Sequence, residues 1–249
     1  MVLSVKNLTF RYSPRQQNLI ENFHCEVPAG QMIVLMGPSG SGKSTLLRLL
    51  GELIKSPSET QWLQRPAHVG WVFQEPVFLP WLKMLSNLLL VRFHNTPTAL
   101  SLPKNLIPDF FSQHTTLQEN ILSWLPQLEL DQELLQRFPR ELSGGQRMRF
   151  AILRALLTEP SCVFLDEPLS SLDPDLRRRL QYALKSLFKK LQTAVVWVSH
   201  DFQEALQVAD EIWLLGFKGQ IHRISRADLT EEELIERFHQ LRLEIKTRT

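Results

Sequence analysis

The chain has 249 residues, 43% of them hydrophobic and 22% charged, and a formal net charge of +2. This suits one sizeable globular core and gives no global basic field for a nucleic acid or an anionic membrane. The two cysteines, Cys25 and Cys162, form no metal or disulfide pattern and read as buried apolar residues in a reducing compartment.

The first ten residues lack the basic start and long apolar run of a secretory signal. Their rough apolar–polar alternation reads as a half-buried strand. A second strand is expected at Phe23 to Val27. Gln31 to Met36 is a continuous apolar run, as in strands buried on both faces of a parallel sheet. A Gly-rich loop follows, then a Leu-rich helix from Ser44 to Ile54. Further buried strands are expected at Cys162–Leu165, Ala194–Val198 and Ile212–Leu215, with helical stretches between them, which predicts an α/β sheet covered by helices.

From about Pro76 to Thr158 no strand pattern is found. Leu-rich helical stretches are punctuated there by Pro97, Pro103, Pro108, Pro126 and Pro139, and Ser101 to Thr116 is the least regular part. The most apolar stretch, Leu79 to Phe93, is broken by Lys83, Asn87 and Arg92 and is too short and polar to span a bilayer, so a membrane role would run through a partner. Near the end, Thr230 and Glu233 predict a capping box that starts a helix through Leu241.

Gly37-Pro38-Ser39-Gly40-Ser41-Gly42-Lys43-Ser44 fits G-x-x-x-x-G-K-[ST], between a buried strand and a helix. Its glycines let successive N–H groups curl around phosphate oxygens, and the helix adds its positive end. Lys43 offers a point charge to the β- and γ-phosphates, Ser44 a hydroxyl to Mg²⁺, and Thr45 stands on the α-phosphate side. The loop alone indicates only a nucleoside triphosphate. Cys162 to Leu165 leads into Asp166-Glu167 at a strand's carboxyl end, where ligands of α/β sheets collect. Asp166 is placed to hold Mg²⁺ through its water shell, and Glu167 to accept a proton from an attacking water.

Leu142-Ser143-Gly144-Gly145-Gln146, with the two motifs above, resembles the signature of ATP-binding-cassette (ABC) ATPases. The resemblance covers Leu3 to about Ile221. It implies a P-loop α/β fold, a RecA-like core with an antiparallel edge sheet, built from residues 1–75 and 159–249. A helical subdomain is inserted at 76–158. It implies ATP hydrolysis with Mg²⁺, and two head-to-tail copies sandwiching the nucleotide. Ser143, Gly144, Gly145 and Gln146, before a helix starting near Gln146, would bind the γ-phosphate held by the other copy. The same resemblance places Gln74 at the Mg²⁺ site, linking it to the helical insertion. It makes Asp173, in Ser170-Ser171-Leu172-Asp173, the acid of a loop crossing the dimer interface. His200 becomes the γ-phosphate contact and Tyr12 the aromatic that stacks on adenine.

The catalytic residues expected are thus Lys43, Glu167 and His200; the metal residues are Ser44, Gln74 and Asp166. Leu79-Pro80-Trp81 after Gln74 resembles importers of the nitrate, sulfonate, taurine and thiamine-precursor group, and an exposed Trp81 or Phe78 would suit a partner's coupling helix. Membrane-spanning permease subunits, a solute-binding receptor and a location at the cytoplasmic face of the membrane follow. Beyond Ile221 only a short helical tail is expected, without a regulatory β-domain. Two alternatives remain: the ATPase of an exporter or lipoprotein-releasing complex, and a soluble cassette acting on DNA or ribosomes. The near-neutral charge disfavours nucleic acid. Between Gly51 and Val69 the chain is shorter than the family pattern, with Ser56 to Thr60 in place of a Gly-containing turn, a departure confined to the edge sheet.

Overall fold

A computed structural model of the chain describes residues 1–91, 115–227 and 229–248. In chain order the elements are β1 (Leu3–Phe10), β2 (Ile20–Val27), β3 (Met32–Met36), α1 (Lys43–Leu50), β4 (Gln61–Gln64), β5 (Val69–Val72), α2 (Met84–Leu89), α3 (Thr115–Trp124), α4 (Gly144–Leu156), β6 (Cys162–Asp166), α5 (Pro174–Leu191), β7 (Ala194–Val198), α6 (Phe202–Val208), β8 (Glu211–Leu215), β9 (Ile221–Ser225) and α7 (Glu231–Arg248). The central sheet runs β5-β6-β7-β3-β8-β9, and a second sheet runs β2-β1-β4. Strands β5, β6, β7, β3 and β8 are parallel to their neighbours; β9 is antiparallel to β8.

The expected α/β architecture is present. The apolar run of β3 is explained by its two packed faces. Ile33 and Leu35 face α1 and the second sheet, joining Leu46, Leu50, Leu3 and Val5. Met32, Val34 and Met36 face the other side, with Phe150, Leu184 and Phe188. Every residue of β3, β6 and β7 is buried, so the strands that carry the loops described below form a rigid base.

Three strands carry no clear pattern in the sequence. β4 reads Gln-Trp-Leu-Gln and only Trp62 is half-buried. β5 contains Gly70, where a side chain would press 3.1 Å from the Ala155 carbonyl of α4. β9 is a polar edge with one fully buried residue, Ile224. β4 pairs with β1 directly after Ser56–Thr60, so the shortened segment does end in the edge sheet. Helix α1 starts at Lys43 and stops at Leu50, short of Ile54. Glu52 turns the chain at φ 57, and the N–H groups of Leu53 and Ile54 both return to the Arg48 carbonyl.

In the middle of the chain the described elements are helices and 3-10 turns. The irregular stretch expected from Ser101 lies outside the described residues as far as 114; Thr115 and Thr116 open α3. Arg149 of α4 donates to the Leu128 and Glu129 carbonyls, and Arg179 of α5 grips the Glu129 carboxylate with two nitrogens at 2.7 and 3.0 Å. Arg149 thus holds this turn to α4, and Arg179 ties it to α5. The capping box at Thr230 and Glu233 forms as expected, at 3.1 and 3.2 Å.

Candidate functional site

The loop Gly37–Gly42 joins the end of β3 to the start of α1. Gly42 caps α1 at φ 97, a left-handed conformation that an L side chain adopts only under strain. Helix α1 has no side-chain cap, so its first N–H groups are open to an anion at the positive helix end. Lys43 curls back over the loop, its Nζ donating to the Gly37 and Pro38 carbonyls at 2.8 and 3.0 Å. Burial pushes its pKa down, while the Glu167 and Asp166 carboxylates oppose that shift. Beside the loop opens a cleft of about 560 Å³ lined by Tyr12, Gln16, Leu19, Gly40, Lys43 and Thr45 among others. Tyr12 is 61% exposed, and its hydroxyl pairs with the Thr45 hydroxyl at 2.7 Å. Its ring packs edge-on against Phe10. A larger groove of about 790 Å³ lies around Leu85, Ile121 and Leu135, but it holds none of the loop's phosphate-binding groups.

Two strands away, β6 delivers Asp166, buried at the strand end. The Ser44 hydroxyl donates to Asp166 Oδ1 at 3.3 Å. Burial raises the Asp166 pKa, and the Ser44 hydrogen bond partly offsets the rise. One hydroxyl and one carboxylate are hard oxygen donors, the set Mg²⁺ uses when phosphates and waters complete its shell. Among the described residues no group of three or more acidic, His or Cys side chains is placed to hold a metal ion by itself.

Glu167 turns the chain sharply, at φ 49, and its N–H is pinned to the Val198 carbonyl at 3.1 Å. A non-glycine residue there costs about 1–2 kcal/mol. The turn aims the Glu167 carboxylate at two side chains from other elements. Gln74 Nε2 donates to Oε2 at 3.2 Å, and His200 Nδ1 lies 3.4 Å from the same oxygen.

The Ser143 region is built differently. Ser143 is itself the N-cap and α4 begins at Gly144, not near Gln146. The spacing Ser143-x-x-Gln146 is that of a capping box and marks this start in the sequence itself. The Gln146 N–H donates to Ser143 Oγ at 3.1 Å, and the Ser143 N–H donates to Gln146 Oε1 at 2.9 Å. Gly144 borders open space. At Gly145 an added Cβ would lie 2.5 Å from Leu172 Cδ2, so the 170–173 loop packs directly on the start of α4. Asp173 caps α5, accepting the Leu176 N–H at 2.9 Å.

A model of the family described as ABC transporter matches residues 20–170, more than half of the chain. The chain belongs to the ABC transporter family. It is 36% identical over 235 residues to an sn-glycerol-3-phosphate import ATP-binding protein of Chromobacterium violaceum. That match covers 91% of this chain but 59% of the relative's length. It is 34% identical to a probable sulfate/thiosulfate import ATP-binding protein of Chlorella vulgaris, over 91% of this chain and 92% of the relative. It is 28% identical to an aliphatic sulfonates import ATP-binding protein of Bacillus thuringiensis subsp. konkukian, over 98% and 94%. Among solved structures it resembles a dimeric ATP-binding cassette bound to ADP and Pi in a post-hydrolysis state. There the TM-score is 0.72 and the identity 26%, covering 91% of this chain and all of that one. A second dimeric structure of that same cassette, from a bacterial ABC transporter, matches with TM-score 0.73 and 26% identity over 91% of this chain. The ABC protein described here binds ATP with Mg²⁺ and hydrolyses it. Import ATP-binding subunits at 28–36% identity support an ATPase that energises solute import. No described helix is long and apolar enough to cross a membrane.

Within this ABC cassette, Tyr12, Lys43, Ser44 and Thr45 share one cleft or its rim, while Gln74, Glu167 and His200 form a second cluster next to Asp166. Among the described residues, no hydrogen bond joins Ser143–Gln146 or Asp173 to either group. Gln74 donates to Glu167 in this structure, beside the Ser44–Asp166 pair. Sequence reasoning missed the support beneath His200. The buried Glu204 carboxylate accepts from Ser199 Oγ at 2.5 Å, Gln181 Nε2 at 3.1 Å and Trp197 Nε1 at 3.3 Å. Asp201 followed three residues later by Glu204 has capping-box spacing, a signal that was available. Here only the Asp201 half of the box forms, accepting the Glu204 N–H at 3.0 Å.

Proposed function

We propose that this chain is the motor subunit of a solute importer, working as a head-to-tail pair of copies on membrane-spanning permease subunits. The observation that carries the hydrolytic part is the Glu167 carboxylate, held between Gln74 and His200 beside the Ser44–Asp166 pair. Lys43 exchanges the Gly37 and Pro38 carbonyls for the β- and γ-phosphates of ATP, a swap of neutral for charged acceptors. Thr45 meets the α-phosphate side, Tyr12 stacks on adenine, and the backbone of Gly37 to Gly42 cradles the chain of phosphates. Ser44, Gln74 and Asp166 would hold Mg²⁺, which would supply neutralisation of phosphate charge. Glu167 takes the proton of the attacking water. Gln74 and His200 keep the carboxylate aimed, and His200 reaches the γ-phosphate. Ser143, Gly144, Gly145 and Gln146 of the second copy close the site through the open N–H groups at Gly144 and Gly145, and Asp173 stands at the crossing loop.

Residues 76–158 act as a helical subdomain on a core of 1–75 and 159–249, and carry motion to the permease. The sequence left open whether Phe78 and Trp81 are core or surface. Phe78 is buried beneath the Arg154 guanidinium, 4.6 Å from the centre of its ring, whereas Trp81 is 69% exposed and Val77 is exposed as well. Asn87, 2% exposed, builds that surface: its side chain accepts from the Leu79 N–H and donates to the Leu79, Leu82 and Lys83 carbonyls. An apolar knob on a rigid loop suits a permease helix. A solute-binding receptor completes the importer, and the cassette sits at the cytoplasmic face of the membrane.

Glu167→Gln tests the hydrolytic core. It should keep ATP affinity, lower turnover by at least about a hundredfold, and trap an ATP-bound dimer visible by light scattering. A strict monomer at high protein concentration with ATP would refute the two-copy site.

A further inference from the structure

We infer that Arg177 is a positioning residue that couples the loop crossing between copies to the His200 segment of the same chain; the inference rests on the hydrolytic reading above. Arg177 lies in the first turn of α5, just after the Asp173 cap. Its guanidinium is half-buried and spends its donors on two separate segments. Nε donates to the Leu169 carbonyl at 3.1 Å, and Nη2 to the Ser170 and Leu172 carbonyls at 3.2 and 3.0 Å. Nη1 donates to Asp201 Oδ2 at 3.4 Å.

Each end of this clamp leads to a reacting group. On one side, Ser170 Oγ donates to the Glu167 carbonyl at 3.0 Å, so the loop is fastened to the residue that bears the carboxylate. Leu172, held by Arg177, covers Gly145 at the start of α4. On the other side, Asp201 directly follows His200. Its N–H is held by Ser199 Oγ at 3.0 Å, which in turn donates to buried Glu204. Glu167, Ser170, Arg177, Ser199, His200 and Asp201 all face one cavity of about 30 Å³, the room of a single water. A displacement of the loop by a second copy therefore moves the guanidinium, and the guanidinium moves the base of His200. Only a planar fork with five donors can serve three carbonyls and a carboxylate at once; a lysine ammonium, a point donor, cannot. The hydrogen bonds of Arg177 go to Leu169, Ser170, Leu172 and Asp201 and not to the loop Gly37–Thr45, so nucleotide affinity of the single chain should be independent of it.

The test compares Arg177→Lys and Arg177→Ala in the full chain. Arg177→Lys, which keeps the charge, should unfold within a few degrees of the parent and bind ATP within about twofold by calorimetry. Its kcat should fall by about ten- to a hundredfold, as expected when reacting groups are misplaced by an ångström or less. With ¹³C-labelled histidine, the His200 imidazole resonance, assigned through His200→Gln, should shift in Arg177→Lys without nucleotide. A kcat within twofold of the parent in both variants would overturn the inference. So would an unmoved His200 resonance, or a loss of kcat matched by equal loss of ATP affinity. If Glu167→Gln keeps the parent's turnover, the hydrolytic reading falls; if it loses turnover while both Arg177 variants stay fully active, only the coupling falls.

Discussion

Gly144 and Gly145 are adjacent in sequence and in the same helical turn, yet their surroundings are opposite. At Gly144 an added Cβ meets only the Arg147 guanidinium, at 3.9 Å. Gly144→Ala therefore gains helix propensity, about 0.5 kcal/mol in a first turn, without a clash. For a chain of this size that raises the melting temperature by roughly 1–2 °C. At Gly145 the new Cβ would stand 2.5 Å from the buried Leu172 methyl, which has to move. Overpacking of this kind costs about 1–3 kcal/mol, so the net loss after the propensity gain is roughly 0.5–2.5 kcal/mol. The functional expectation reverses the order for Gly144. If its open N–H surface receives the phosphate held by a second copy, a methyl placed there blocks approach, and ATPase activity falls at least about tenfold in a protein that is more stable than its parent. Urea unfolding and a phosphate-release assay on the same preparations measure both quantities. Gly144→Ala with full activity would show that the open face has no catalytic use, and lowered stability would refute the propensity argument.

Lys43→Ala removes a charged hydrogen-bond donor worth about 1.5–3 kcal/mol, so ATP affinity by calorimetry should weaken roughly ten- to a hundredfold; unchanged affinity would remove the role given to the loop lysine. Glu204 should leave a signature in stability against pH. Burial raises its folded pKa above the ordinary glutamate value. Between those two values the native state holds the extra proton, so stability is full below the unfolded pKa and is lost as pH rises through the folded one. Chemical denaturation across that window should show a smaller decline for Glu204→Gln than for the parent, and parallel curves would contradict the assignment. Trp81→Ala should change stability by no more than about 0.5 kcal/mol, since the ring is exposed. Co-purification with a permease from solubilised membranes should nonetheless drop sharply, and an unaffected yield would move the docking surface elsewhere.

Sequence pattern and structure agree wherever a segment is buried on both sides. The runs of β3, β6, β7 and β8 are legible because each strand must be apolar along its whole length to lie between two layers. β4, β5 and β9 were silent because four or five residues with polar or glycine positions carry too little period to register. The phosphate loop and the Asp166–Glu167 step are readable as linear motifs, since neighbouring residues act on one ligand. What sits behind them is not. The Arg177 fork serves carbonyls eight, seven and five residues upstream and a carboxylate 24 residues downstream. Backbone carbonyls have no letter in a sequence. Gln146 shows the converse: its place in a motif suggested a ligand contact, while its side chain also completes a helix cap.

Strand β7 lies between β6 and β3 in the central sheet. The backbone that carries the carboxylates therefore lies two strand widths, about 10 Å, from the backbone of the strand that leads into the phosphate loop, and the Ser44 and Asp166 side chains close that distance to 3.3 Å. The backbone frame of the site is thus cut to the lattice constant of a β-sheet. It cannot be widened by degrees, only in whole strands, and no substitution within the three strands can retune it without unpairing them. Whatever diversity of speed or control such a motor acquires has to be written in its loops and in the faces it offers to other chains, while the gauge of the track beneath stays the same.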